Sequence, residues 1–167
     1  MRWILDANAL IYLAKANLQD RFMSLVKHDV VIDTSVYEES VTEGIQRGYP
    51  DAVRVKKFLE QARIPIIPVD VKLMLDAFRD AGEASCFLLA ESGGICITAD
   101  ARAVKKIKRL GGKAIHLDGF FYLKAKRREI TPSDFEEILV RLEEVYATTP
   151  ERKHEMLQAL EGAERDE

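Results

Sequence analysis

The chain opens on Met-Arg-Trp-Ile-Leu-Asp-Ala-Asn-Ala-Leu, residues 1–10, in which three apolar residues are followed at once by an acid. Short apolar runs of the same kind recur along the chain: Trp3–Leu5, Val30–Ile32, Ile64–Val69, Gly94–Thr98 and Ala114–Leu117. Such unbroken runs are typical of strands that are covered on both faces of a parallel sheet. Helical patterns, with apolar residues three or four apart, fill the intervals between them. This alternation predicts an α/β fold in which a central parallel sheet of four to five strands lies between layers of helices.

Two features refine this prediction. Pro65 and Pro68 fall inside the third run, and because proline lacks a ladder donor we expect that strand to be short or to lie at an edge. Beyond the last strand, Thr131-Pro132-Ser133-Asp134 is typical of a helix start, and a second, weaker helix is expected from Thr149-Pro150. We therefore expect an α/β domain over residues 1–128 and an acidic helical extension over residues 129–167, packed on or beside it.

The composition describes a soluble globular protein. The chain has 167 residues, of which 47% are hydrophobic and 32% charged, and no apolar run is long enough to cross a membrane. An acid at position 6 interrupts any signal-peptide core, so we expect a cytoplasmic protein. The two cysteines, Cys86 and Cys96, form no metal-binding cluster and are expected to be buried free thiols.

The net charge of −3 conceals an uneven distribution. Residues 101–128 carry ten basic side chains and one acid, whereas residues 1–100 and 129–167 are acidic. A strongly basic segment inside an acidic chain is compatible with a polyanionic partner such as a nucleic acid.

Acidic residues stand just beyond the apolar runs: Asp6, Asp33, Asp70, Asp100 and Asp118. Helix capping explains any one of them, and it is the preferred interpretation for Asp33 and Asp70. However, the carboxyl ends of parallel strands meet at one edge of the sheet, and carboxylates that converge there repel one another unless a cation neutralises them. Because the set offers only oxygen ligands, it favours Mg²⁺ or Mn²⁺.

At these positions the sequence resembles the PIN-domain ribonucleases, the family that includes VapC-type toxins. The resemblance covers roughly residues 1–125 and comprises four short motifs in the family's order, with an acid at position 118 where many members place a fourth one. The motifs are Ile4-Leu5-Asp6-Ala7-Asn8, Val36-Tyr37-Glu38-Glu39, Gly82-Glu83-Ala84-Ser85 and Ile97-Thr98-Ala99-Asp100. The implied fold is a three-layer α/β/α sandwich with additional C-terminal helices.

The resemblance also implies a set of site residues. A metal ion, Mg²⁺ or Mn²⁺, would be held by four catalytic acids and supported by a fifth: Asp6, Glu39, Asp100, Asp118 and Glu83. Asn8 and Thr98 would orient these carboxylates through hydrogen bonds. Glu38 and Glu39 lie about 100° apart on a helix, so only one of them can face the site squarely, and the family pattern favours Glu39.

The implied activity is hydrolysis of single-stranded RNA by a metal-dependent endoribonuclease, as in a VapC-type toxin. The side chains expected to bind RNA are Lys124, Lys126, Arg127, Arg128 and Arg102. The implied partners are a second copy of the chain and an antitoxin protein. The alternative is a catalytically inactive RNA-binding or assembly module on the same scaffold, whereas a haloacid-dehalogenase phosphatase is excluded because Asn8 replaces the second aspartate that it needs.

Overall fold

The computed structural model describes residues 1–27, 29–78 and 80–165; residues 166–167, which end the predicted extension, lie outside it. The strands are β1 (Arg2–Leu5), β2 (Asp29–Asp33), β3 (Ile66–Ile67), β4 (Gly94–Thr98) and β5 (Ala114–His116). The helices of the first half are α1 (Ala7–Lys15), α2 (Gln19–Leu25), α3 (Thr34–Tyr37), a π-helical segment (Glu38–Glu43), α4 (Gly44–Gln46) and α5 (Pro50–Gln61). They are followed by a 3₁₀ turn (Lys72–Met74), α6 (Ala81–Glu91), α7 (Ala101–Arg109), α8 (Leu117–Lys126), α9 (Pro132–Glu144) and α10 (Pro150–Arg165).

The described strands form one parallel sheet in the order β3-β2-β1-β4-β5. The α/β prediction and the expected strand number are therefore confirmed. The third strand has only two residues and lies at the edge, as its prolines predicted, and Ile66 there remains 45% exposed.

The strand order reverses direction beside β1. The chain runs outward from β1 through β2 to β3, then returns to place β4 on the other side of β1. Leu5 pairs with Ile97 at the carboxyl ends of these two central strands, and the Asp6 amide donates to the Ile97 carbonyl at 3.0 Å. This is a topological switch point, the position at which open α/β sheets form their ligand crevice.

The C-terminal helices share the hydrophobic core of the domain. Thr131 caps α9, accepting from the Asp134 amide at 3.0 Å, and Phe135 and Leu139 on this helix are fully buried. Helices α8, α9 and α10 pack against one another, so the extension is docked on the α/β layer. The division at residue 128 remains a prediction.

The fifth apolar run, Ala114–Leu117, extends one residue beyond its strand. Leu117 does not end β5 but begins α8, and His116 is the residue that caps this helix. Asp118 therefore lies inside the first turn of α8 and not at its N-cap, so helix capping does not explain this acid. By contrast, Asp33 caps α3 as predicted, accepting from the Val36 amide at 2.8 Å. Cys86 and Cys96 are buried and free, as expected.

No helix in the described part of the chain is both long enough and apolar enough to span a membrane.

Candidate active site

Asp6 lies at the switch point and is buried. Its Oδ1 accepts from the Ala7 amide at 2.9 Å, which caps α1, and its Oδ2 lies 2.9 Å from the Thr98 hydroxyl. The pKa of Asp6 is raised from 3.8 to about 6, chiefly by burial and also by the nearby charges of Asp80 and Glu83, against the two hydrogen bonds, which lower it. The protein therefore holds a carboxylate at the crevice in a setting that disfavours its negative charge.

Asn8 and Thr98 connect the ends of β1 and β4. Asn8 Oδ1 accepts from the Ala99 amide at 2.7 Å and lies 3.0 Å from the Thr98 hydroxyl oxygen. That oxygen in turn accepts from the Asp100 amide at 3.2 Å. Both residues thus make the kind of contact that an orienting role requires, because they tie the strand ends carrying Asp6 and Asp100 into one hydrogen-bonded unit.

Glu39 approaches the same crevice from the π-helical segment after α3. A Cβ atom built on Gly82 would lie 3.2 Å from Glu39 Oε2 and 3.4 Å from Asp80 Oδ1, so the carboxylate rests against a backbone that has no side chain. This geometry places the Glu39 carboxylate beside Gly82 and Asp80, and the choice of Glu39 over Glu38 as a ligand remains a prediction. Short π-helical turns inside α-helices are frequent at functional sites.

The environment of Glu39 is crowded with negative charge. The pKa of Glu39 is raised from 4.5 to about 7, most by partial burial and then by the negative charges of Asp6, Asp80, Glu43 and Glu83. Since Glu39 keeps substantial solvent exposure, the charged neighbours remain an important part of this shift. The same two acids, Asp80 and Glu83, thus act on both Asp6 and Glu39.

Asp80 is a member of the cluster that sequence reasoning missed. It caps α6 by accepting from the Glu83 amide at 2.7 Å, and it raises the pKa of both Asp6 and Glu39. Asp80 follows no strand, so the strand-end rule does not find it. A signal was nevertheless present, because an acid three residues before a glutamate at a helix start resembles a capping box, which places both side chains at the same helix end.

Glu83 and Asp100 lie on one wall of a cleft of about 400 Å³ that extends along α7. Glu83 Oε2 is 3.8 Å from Lys106 Nζ. Asp100 Oδ1 caps α7 through the amides of Arg102 and Ala103, at 2.7 and 3.4 Å. The acids predicted from sequence are thus distributed between the crowded crevice and the mouth of this cleft. We call Asp6, Glu39, Asp80 and Glu83 the acid cluster.

Asp118 does not have the role expected of it. The side chain is fully buried, and its two oxygens contact Arg152 Nη2 and Nε at 2.6 and 2.8 Å, the Thr148 hydroxyl at 2.7 Å and His116 Nδ1 at 2.7 Å. Burial alone would raise the pKa of Asp118, but these partners outweigh it and hold the pKa well below its usual range. All acceptor positions of the carboxylate are occupied by the chain, so it has none left for a metal ion in this conformation.

The predicted RNA-binding residues also divide into two groups. Lys124 is buried, pairs with Glu129 Oε2 at 3.1 Å and lies over the Phe120 ring, so it cannot reach a phosphate; that expectation is corrected. Lys126, Arg127 and Arg128 are exposed at the end of α8. Arg102 lines the α7 cleft together with Asp100.

The acid cluster fits a hard divalent cation in chemistry and in charge. Its ligands would all be carboxylate oxygens, and the raised pKa values of Asp6 and Glu39 mark an excess of negative charge that a cation would relieve. Within residues 1–27, 29–78 and 80–165, no three His, Cys, Asp or Glu side chains already surround one point as ligands would. A bound ion would therefore have to draw the carboxylates together.

Comparison with known proteins identifies the protein family to which the chain belongs. A family model described as DUF3368, a PIN domain, matches residues 2–161, which includes the C-terminal helices. No curated protein matches the sequence. PIN domains are generally nucleases and typically use divalent metal ions.

Two solved structures resemble the fold. One is a domain of a functionally unknown protein from Methanocaldococcus jannaschii DSM 2661, at 13% identity and a TM-score of 0.49, which covers 69% of this chain and 89% of that one. The other is a PilT N-terminus domain protein from Sulfolobus solfataricus P2, at 18% identity and a TM-score of 0.41, covering 71% and 88% of the two chains. The family assignment rests on the match over residues 2–161, and by it the chain belongs to the PIN-domain family.

Proposed function

We propose that this protein is a metal-dependent endoribonuclease that hydrolyses phosphodiester bonds of single-stranded RNA. The observation that carries the proposal is the acid cluster: carboxylates from three segments, the end of β1, the π-helical segment and the start of α6, lie at the switch point, where Asp6 and Glu39 are held at raised pKa values. A protein that only binds RNA gains nothing from such a cluster, because it repels phosphate and destabilises the fold. A site that holds a catalytic cation requires it.

The acids have separable tasks in this proposal. Asp6 and Glu39, the two acids whose pKa values are raised, would hold Mg²⁺ or Mn²⁺, with Asp80, Glu83 and Asp100 completing the set. Asp118 is left out because Arg152 already neutralises it. When bound, the cation supplies Lewis-acid chemistry: it polarises the phosphodiester and makes water a better nucleophile near neutral pH.

The remaining residues orient and bind. Thr98 and Asn8 hold the ends of β1 and β4 so that Asp6 and Asp100 keep a constant separation. Burial of Asp6 keeps bulk water from its oxygens, which strengthens its attraction for a cation. Cations beside the cluster would hold the substrate phosphates that the acids alone would repel.

The test compares cleavage by matched variants. Asp6→Asn and Asp100→Asn each remove a charge while keeping a good helix cap, so both should remain folded and lose RNA cleavage by at least about a hundredfold. Asp20→Asn, an exposed acid in the first turn of α2, is the control and should cut as the wild type does. Cleavage of a labelled single-stranded RNA with Mg²⁺ or Mn²⁺, with circular dichroism to verify folding, gives the result.

The outcomes discriminate between two functions. Wild-type protein that binds RNA but does not cut it with either metal ion would favour the inactive binding or assembly module. Undiminished cutting by Asp6→Asn would show that the chemistry lies elsewhere. A VapC-type toxin role and an antitoxin partner are further proposals, which co-purification of a neighbouring protein with the tagged chain would test.

A further inference from the structure

Helix α7 carries a stripe of basic residues on one face. Four cations recur at the spacing i, i+3, i+4 and i+7, which places their side chains on the same side of an α-helix. They are Arg102, Lys105, Lys106 and Arg109, and all four line the cleft of about 400 Å³ whose wall also contains Glu83 and Asp100. We call these four residues the α7 stripe.

Three of the four cations of the α7 stripe form no ion pair with a carboxylate in the described part of the chain. Lys106 pairs with Glu83 at 3.8 Å and lies 4.5 Å from the centre of the Phe78 ring, which anchors the stripe to the acid cluster. Arg102, Lys105 and Arg109 are exposed, and within the described part of the chain none of them pairs with a carboxylate. Like charges on one helix face repel by a few tenths of a kcal/mol per pair, so a helix that keeps them has a stability cost unless an anion is bound.

The α7 stripe is long enough to contact several nucleotides of a single strand, and it begins beside Asp100. Arg102 stands beside Asp100 at the start of α7, and Arg109 lies seven residues further along. Seven residues of helix span about 10 Å, against about 3.4 Å per nucleotide in a stacked strand, so the stripe can contact more than one phosphate. Its near end is adjacent to the predicted catalytic acids, which is where a bound strand would have to deliver its scissile bond.

The other basic surfaces of the segment lack this continuity. Lys108 points to a different cleft, with Lys113, on the far side of α7. Lys124 is buried against Phe120. Lys126 and Arg127, at the end of α8, line neither the α7 cleft nor the cleft beside Lys108.

We infer that the α7 stripe is the binding site for the sugar–phosphate backbone of the substrate strand and guides that strand from Arg109 toward Asp100 and the acid cluster. The inference rests on the proposed function, since it assigns a path to the same substrate. Of the RNA contacts expected from sequence it keeps Arg102, and it replaces those on α8 with Lys105, Lys106 and Arg109. Lys106 connects the α7 stripe to the acid cluster, because it lines the cleft and also contacts Glu83.

The experiment measures RNA binding without cleavage. Fluorescence anisotropy of a short, labelled single-stranded RNA in the presence of a chelator gives Kd at several salt concentrations. The double variant Arg102→Gln/Arg109→Gln should raise Kd at least tenfold at low salt. The slope of log Kd against log salt should fall by about 1.4, because each lost phosphate contact in a single strand removes about 0.7.

Two double variants with the same loss of charge are the matched controls. Lys108→Gln/Lys113→Gln alters the other side of α7, and Lys126→Gln/Arg127→Gln alters the end of α8. At about 0.15 M salt, where charges far from the bound strand are screened, both should keep the wild-type Kd within about twofold while the stripe variant still binds more weakly. Equal weakening by either control, or unchanged binding by the stripe variant, would overturn the inference. So would wild-type protein that binds no RNA at low salt, a result that would favour an acidic protein segment as the occupant.

The binding and cleavage measurements distinguish an error in the α7 stripe assignment from an error in the nuclease proposal. If the wild type cuts RNA with Mn²⁺ but the stripe variant binds and cuts normally, the stripe assignment is wrong and the nuclease proposal stands. If the wild type never cuts RNA but the stripe variant alone loses binding, the nuclease proposal is wrong and the binding site stands.

Discussion

Arg152 binds the carboxylate of Asp118 with two nitrogens, Nη2 at 2.6 Å from Oδ1 and Nε at 2.8 Å from Oδ2. The contact joins α10 to the first turn of α8, and the Asp118 side chain that it covers is fully buried. His116 extends the link to the sheet, since its Nε2 lies 3.0 Å from the Ala99 carbonyl oxygen, next to Asp100. The C-terminal helix thus supplies the cation for an acid that sequence reasoning assigned to the metal.

Removing the positively charged Arg152 side chain should strongly lower the stability of the folded protein. Arg152→Ala leaves a buried, charged Asp118 with only Thr148 and His116, so we expect the free energy of unfolding to fall by about 3 kcal/mol. Arg141→Ala, which removes an exposed ion pair with Glu137, is the control and should cost less than about 1 kcal/mol. Denaturant unfolding monitored by circular dichroism compares the two, and equal losses would contradict a special role for the buried pair.

The stability of the metal-free protein should decrease as the pH rises. Asp6 and Glu39 have folded-state pKa values above their ordinary ones, so the folded protein binds these protons more tightly, and the stability that they contribute is present below about pH 4 and lost as the pH approaches 7. For buried Asp6 the shift from 3.8 to about 6 corresponds to a loss on the order of 2 to 3 kcal/mol.

Thermal unfolding with a chelator at several pH values measures this decrease. Glu39→Gln should flatten the pH profile, and saturating Mn²⁺ should raise the Tm most at pH 7, where both carboxylates are charged. A chelated wild type that grows more stable from pH 5 to pH 7 would contradict the proposed repulsion.

Gly82→Ala should impair the site without unfolding the protein. The added Cβ would lie 3.2 Å from Glu39 Oε2, so the carboxylate must shift, and a small displacement of a catalytic group costs roughly tenfold or more in rate. Gly162→Ala adds the same atom where nothing lies within 4 Å, and it should leave cleavage unchanged. RNA cleavage rates and Tm values of both variants provide the comparison; normal cleavage by Gly82→Ala would place Glu39 outside the site.

Thr98→Val should act through Asp6. The variant keeps the shape of the side chain but removes the hydroxyl that hydrogen-bonds Asp6 Oδ2 and accepts from the Asp100 amide, at a cost of about 1 to 3 kcal/mol in stability. Because that hydroxyl lowers the pKa of Asp6, its loss should raise this pKa further and move the acid limb of the pH–rate profile to higher pH.

Thr98→Ser keeps a hydroxyl and is the control for this change. It should retain the wild-type profile even if packing loosens slightly. An identical acid limb in the valine variant would mean that Thr98 is structural only.

Local sequence patterns were sufficient for the parts of the site that lie on the sheet. The alternation of apolar runs and amphipathic helices predicted the parallel sheet, and the acids after β1 and β4 were located because strand ends share one edge. Thr131 and Asp33 were assigned as caps because capping depends on residues within one helical turn.

Other assignments needed the packed molecule. Asp80 joins the cluster only because α6 begins beside the π-helical segment that carries Glu39, a contact between residues far apart in sequence. The sequence placed Lys124 on an RNA-binding surface, but in the folded protein its side chain is buried, where it pairs with Glu129 and lies over the Phe120 ring. The homodimer expected from sequence remains a prediction.

The sequence by itself determined the α/β architecture, the family resemblance and the acids at the ends of β1 and β4, because these depend on periodicity and on short motifs that each segment carries alone. Only the tertiary structure decided how each charge is used. Asp6 and Asp118 look alike in sequence, each an acid just beyond a strand, yet one is crowded by carboxylates and the other is neutralised by Arg152. The reason is physical: the energy of a buried charge depends on the sign and distance of its neighbours, and these are set when distant segments pack together.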